Sequence, residues 1–268
     1  MKRYLSVALA LSALAGLGLL LAALPGARAD EKAANGQWGT IKGQVVFGGD
    51  TVPEPKKVDV NKDQDHCLSK GDIYSEDWVI KKDSKGVRWV FAWLVDPANP
   101  KKFPADKINP ALKEVPKAAV EIDQPCCKFE PHALAMREGQ VLNAKNSAPI
   151  SHNVNWTGGV QNPGNNVILP SGQQVAIKDL KASRFPVSVT CNIHPWMKAW
   201  VRVYDHPYFA VTDADGKFEI KDAPAGDFKL VTWQESVGWG NGGKDGVPVT
   251  IKAGQTTDLG KLEIKPAP

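Results

Sequence analysis

The chain has 268 residues, 43% hydrophobic and 23% charged, which is enough for one or two packed domains. Its formal charge of +4 belongs mostly to the first 29 residues. Setting aside Lys2, Arg3 and Arg28 from the 33 basic residues leaves 30 against 29 acidic ones, a net +1. That balance gives no argument for a nucleic-acid partner, and none is expected.

Residues 1–29 read as an export signal. Lys2 and Arg3 precede an uncharged apolar run from Tyr4 to Leu24, Pro25-Gly26 breaks it, and Ala27-Arg28-Ala29 offers a small-residue cleavage site. The apolar run is also long enough to be a retained anchor. Either way the remainder is expected outside the cytoplasm, periplasmic or otherwise exported, with no membrane span once the signal is cleaved. Beyond residue 30 helical periodicity is scarce, while 24 Gly and 20 Pro punctuate the chain. The expected fold class is therefore all-β, built of strands and turns.

The region 37–116 holds two strand patterns, Gly39–Phe47 and Val87–Val95. Pro53–Asp65 and Asp96–Val115 are rich in Pro, Lys and Asp and read as solvated loops. In the region 117–207, Gln140–Asn146 reads as a strand, followed by a turn and a second strand, His152-Asn-Val-Asn-Trp156. Phe185–Thr190 alternates apolar and polar residues into Cys191, and Lys198–Tyr204 alternates again. Cys191-Asn-Ile-His194-Pro-Trp-Met197 is thus a short loop between strands, carrying a thiolate, an imidazole and a thioether. In the region 208–266, Phe209–Gly216, Lys217–Ile220, Phe228–Trp233, Pro248–Lys252 and Leu259–Ile264 read as strands around an Asp-Gly turn. His206 reads as a surface turn residue, and Trp239–Gly246 as a flexible loop.

His152, Cys191, His194 and Met197 together make a trigonal set of two imidazoles and one thiolate with a weak thioether. Soft sulfur stabilises Cu(I) and imidazole tolerates both oxidation states, so this donor set selects copper, at one type 1 site. Structural zinc would use more thiolates.

Ser-His152-Asn-Val followed by Cys191-x-x-His194-Pro-Trp-Met197 resembles the cupredoxin family, its amicyanin subgroup most. Phe129-Glu-Pro-His-Ala-Leu-Ala-Met-Arg-Glu-Gly139 resembles the strand and turn before that family's first His. The resemblance covers about 90 residues, Lys117 to Pro207. It implies a Greek-key β-sandwich with His152, Cys191, His194 and Met197 as copper ligands and Asn153 tying the two ligand loops together. It also implies a second His reaching the surface through an apolar patch, where Pro195 and Trp196 shape an electron port for protein redox partners such as a cytochrome or dehydrogenase. Trp156 and Trp200 read as strand packing.

The tail motif Thr212-Asp-x-Asp-Gly216-x-Phe-x-Ile220, followed by Pro224-Ala-Gly226-x-Phe228, resembles the carboxypeptidase regulatory-like, or transthyretin-like, family. This implies a second small β-sandwich. Two of its strands would come from the region 37–116, so that the 117–207 unit is inserted into a sandwich built from both chain ends. An N-terminal extension packed on the middle unit is the rival arrangement.

With Cys191 assigned to copper, three cysteines remain. Cys67 pairs with Cys127 or with Cys126, leaving one buried thiol; a second metal site drawn from His66, Cys67, Cys126, Cys127 and His132 is the alternative. The functional expectation is an exported electron carrier that is not an enzyme, because a type 1 site gives substrate no open position and no other catalytic set stands out. The alternatives are a copper-binding or delivery module and a non-redox envelope interaction protein.

Overall fold

The computed structural model describes residues 37–266, so residues 1–29, read above as an export signal, lie outside the described residues. The protein is all-β: among the described residues sixteen strands form four sheets, with only single turns of helix between them.

Strands from both ends of the described chain share two sheets. β1 (Trp38–Phe47) lies between β12 (Lys217–Pro224), antiparallel, and β16 (Thr256–Ile264), parallel. Facing it, β2 (Phe91–Val95) lies between β11 (Phe209–Val211) and β13 (Gly226–Gln234), with β14 (Gly238–Trp239) and β15 (Val247–Ile251) extending β13. Ile41 and Val45 alternate with more exposed residues along β1, as Phe218 and Ile220 do along β12, so each strand buries one face. Gly216 lets β12 close onto β1. Its φ is 75°, and a Cβ there would stand 2.3 Å from the Val45 carbonyl oxygen. The enclosed core is aromatic, with Tyr208 at 0% exposure and Phe103 stacked on Phe228 at 5.9 Å.

The second pair of sheets comes from the middle of the chain. One is ordered β4 (Ala133–Arg137), β10 (Lys198–Tyr204), β9 (Val187–Thr190), β6 (His152–Thr157), β7 (Asn165–Leu169). The other is ordered β3 (Val120–Ile122), β5 (Leu142–Lys145), β8 (Gln174–Ile177). Ile122, Phe129, Met136, Leu142, Val154 and Val189 are among the residues that fill the space between them. A third cluster, including Phe91, Trp93, Tyr204 and Trp233, joins the two sandwiches. Arg202 is buried there with its guanidinium 3.8 Å over the Trp93 ring, a cation–π seat that replaces some of the water it gives up.

The two stretches read as solvated loops differ from that expectation. In the first, Val60 is buried, and the short helix α1 (Gln64–Cys67) that follows it brings Cys67 into the same core as the middle strands. In the second, Phe103 and Ile108 are buried in the aromatic core, and Asp96 is buried with Lys107 Nζ at 2.5 Å. Few apolar side chains among many charges are enough to dock a segment when each meets a groove. His206 is likewise not at the surface. It is 3% exposed, its ring 4.6 Å from that of Phe103, and burial, with the charges of Arg137 and Arg202 adding, pushes its pKa down to about 3.

Candidate metal centre

Strand alternation aims the donors inward. Val187 and Val189 of β9 face the core, and Cys191 takes the next inward position just past the strand. The loop then closes on itself: the Cys191 N–H donates to the Met197 carbonyl at 3.2 Å, and the Met197 N–H to the His194 carbonyl at 2.9 Å. On β6, paired to β9, His152, Val154 and Trp156 point inward in the same way.

The result is three donors around one buried point. Cys191 Sγ lies 3.9 Å from His152 Nδ1 and 3.9 Å from His194 Nδ1. All three side chains are at most 2% exposed, and Met197 is buried in the same core. A nitrogen and a sulfur held by one ion at about 2.0 Å and 2.3 Å, at a trigonal angle, stand about 3.7 Å apart. The spacing therefore fits a metal ion, and the chemistry of two imidazoles, one thiol and a neighbouring thioether fits copper.

Asn153 joins the two donor segments. Its Oδ1 accepts from the backbone N–H of Asn192 at 2.7 Å and of Ile193 at 3.1 Å, and from the Cys191 thiol at 3.2 Å. Its own N–H points at Cys191 Sγ at 3.5 Å. One side chain thus holds the loop against β6 and places an N–H where it would stabilise a thiolate.

Electrostatics keep the rings ready to donate. Burial, helped by repulsion from His194, pushes the His152 pKa down to about 4. Burial also lowers that of His194, with the hydrogen bond to Asp63 opposing it. Both imidazoles are neutral at pH 7, with lone pairs available to a cation.

The structure departs from the expectation of an exposed second His. His194 is 0% exposed, with Trp196 packed on its ring and Asp63, at the start of α1, placing Oδ2 2.8 Å from His194 Nε2. Cys67 of α1 is disulfide-bonded to Cys127, and the Cys127 carbonyl accepts from the Trp196 indole N–H at 3.1 Å. The remaining free thiol, Cys126, is half-buried rather than buried, 3.7 Å from a Glu130 carboxylate oxygen. With Cys67 and Cys127 bonded to each other, the second-metal alternative has lost two of its donors. Pro195 is exposed and Trp196 half-buried. Both line a cleft of about 290 Å³ that also carries Glu76, Lys128, His132 and Lys198. His132 Nε2 is hydrogen-bonded to Glu235, and Lys198 bridges Glu235 at 2.6 Å and Asp77 at 2.5 Å. Burial would raise the Glu235 pKa, but the bonds from His132 and Lys198 outweigh it and hold the carboxyl below its usual range.

Asp63 and this charged group carry no local sequence signal. Asp63 sits in a stretch of charges, 131 positions before His194. Only the isolated Val58 and Val60 nearby hint that the segment docks.

No family model and no curated protein matches the chain. Solved structures are similar to part of it. A purple cupredoxin from Nitrosopumilus maritimus is 18% identical and covers 32% of this chain and 99% of its own, at a TM-score of 0.28. A Cu(I) form of an amicyanin variant is 22% identical over 42% of this chain and 97% of its own, at 0.29. Amicyanin from Paracoccus versutus is 23% identical over 34% and 85%, at 0.29. These values describe a likeness in part of the fold, so the chemistry rests on the residues themselves.

Proposed function

We propose that this protein is an exported one-electron carrier holding a single copper ion between His152, Cys191 and His194, with Met197 as a weak fourth ligand. The observation that carries the reading is the equal 3.9 Å separation of Cys191 Sγ from both Nδ1 atoms in a pocket sealed from solvent. Copper, when bound, supplies reversible one-electron chemistry.

The chain's own residues would do the rest. Asn153 holds the two donor segments in register, so the cage keeps its shape in both charge states and little reorganisation accompanies each electron. Four donors and the surrounding core leave substrate no open position, which favours a carrier over an enzyme. Trp196 and Pro195 beside the charged cleft are the proposed electron port, where a protein redox partner such as a cytochrome or dehydrogenase would dock. The residues 37–116 and 208–266 are read as one folding unit into which 117–207 is inserted. Strand pairing of β1 with β12 and β16 supports this. The aromatic core of that unit suits a non-catalytic scaffold, as the resemblance to carboxypeptidase regulatory-like modules implies. An exported location agrees with the disulfide and with the reading of residues 1–29. Among the described residues no helix is long and apolar enough to cross a membrane.

The test is the visible and electron-resonance spectrum of the copper-loaded chain. A strong thiolate-to-copper charge-transfer band, reversibly bleached by one electron, is expected in the wild type and absent in Cys191→Ser. Copper binding that survives Cys191→Ser with an unchanged spectrum sinks the reading.

A further inference from the structure

We propose that Asp63 is a positioning residue of the metal centre: it orients His194 with Nε2–H outward and Nδ1 inward, and favours the higher charge state of a bound copper. The proposal rests on the copper reading above and adds a residue from outside the middle sandwich to it.

The two imidazoles differ in what stands behind them. His152 Nε2 is buried and finds no hydrogen-bond partner among the described residues. His194 Nε2 stands 2.8 Å from Asp63 Oδ2, while its Nδ1 faces Cys191 at 3.9 Å. A carboxylate accepts only from a protonated nitrogen, so the bond places the proton on Nε2 and frees the Nδ1 lone pair.

The backbone around Asp63 is shaped to make this bond. Asp63 begins α1 in the left-handed region, φ 49° and ψ 38°, and its carbonyl accepts the N–H groups of His66 at 3.1 Å and Cys67 at 2.9 Å. An aspartate at a helix start usually turns its carboxylate back onto that helix. Here the side chain makes no such bond, and it reaches His194 instead.

The segment is also anchored to the donor loop. The sulfurs of the Cys67–Cys127 disulfide lie within 4.8 Å of a His194 ring nitrogen, and Trp196 is hydrogen-bonded to the Cys127 carbonyl. Asp63 is thereby held at a set distance from His194.

A carboxylate behind an imidazole makes the ring a stronger donor, and that helps Cu(II) more than Cu(I). Outer partners of this kind typically contribute about 10–100-fold to metal affinity.

The test uses the full chain and three variants. Asp63→Asn removes the charge but keeps an acceptor, and asparagine tolerates the left-handed backbone. Asp63→Gly tolerates it too and removes both. Asp65→Asn, on the same helix, removes an exposed carboxylate with no bond to His194. Cu(II) and Cu(I) affinities, and the reduction potential, are read on the loaded proteins. Asp63→Asn is expected to weaken Cu(II) binding at least tenfold more than Cu(I), raising the potential by about 59 mV per tenfold difference. Asp63→Gly should do so further, and Asp65→Asn should do neither. Unchanged potential and Cu(II) affinity in both Asp63 variants, with the charge-transfer band intact, overturns the proposal, as does an equal effect of Asp65→Asn. Nitrogen NMR of the metal-free protein separates this outcome from failure of the copper reading. The wild type should show His194 protonated at Nε2 with a slowly exchanging proton, and Asp63→Gly should lose that protection. A wild-type His194 protonated at Nδ1 overturns the proposal whether or not copper binds.

Discussion

The two sandwiches use the same alternation of inward and outward residues and fill their interiors differently. One is closed by aromatic rings, with Phe103, Tyr208 and Phe228 in contact. The other brings two imidazoles and a thiol together, all three buried. What separates them is where strands stop. His152 opens β6 and Cys191 follows the end of β9, so polar donors sit where loop backbone can satisfy them. A donor cluster mid-strand would find no N–H or carbonyl free of the ladder.

The sharpest way to break this contrast is to remove bulk from the aromatic side. Phe228→Ala should cost about 3–5 kcal/mol in urea unfolding while leaving the copper spectrum unchanged. A spectrum that shifts with it would mean that the two interiors are not independent.

Replacing Cys67 and Cys127 together by Ala opens a crosslink spanning 60 positions. Chain entropy puts the loss at about 4 kcal/mol at most. Unfolding of oxidised and reduced wild type provides the check, and the loss should be accompanied by faster copper release because Asp63 is freed.

Acid acts through a residue at the junction. His206 titrates near 6.5 in an unfolded chain and at about 3 in the fold. Between those values the unfolded state binds the extra proton, so stability is intact above pH 6.5 and falls as pH drops. By pH 4 the loss from this group is about 3 kcal/mol, and His206→Gln should remove that share of the acid limb measured on metal-free protein, leaving the share that His152 contributes.

The smallest effect is expected at the site itself. In the metal-free protein Cys191→Ser should change stability by less than about 1 kcal/mol, because a hydroxyl can keep both bonds to Asn153. The stabilisation that saturating copper gives the wild type, about 4 kcal/mol at a thousandfold excess over Kd, should vanish. Thermal unfolding with and without copper reads both.

The strand pattern was legible because alternation is a local property, and so was the convergence of His152, Cys191 and His194, since the first two lie at strand ends and the third in the short loop that joins two strands. The cover over His194 was not. Asp63 lies in a run of Lys, Asp and Asn whose composition matches any solvated loop, and its partner is 131 positions away. Similarly, nothing near Asp205-His206-Pro207 announces that Phe103 and Tyr204 will close over the imidazole. Residues that dock singly into a groove made by distant chain leave no periodicity to read.

Trp93 of β2 and Phe209 of β11 are directly paired, although more than a hundred positions separate them. The chain therefore departs from one sheet and returns to it at neighbouring points, as a long hairpin would. Whatever hangs from that seam can change size or content with little strain on the strands that form it, because loop closure grows only logarithmically with length. The architecture behaves as a mount with a standard fitting, whose two ends stay paired whatever length of chain runs between them.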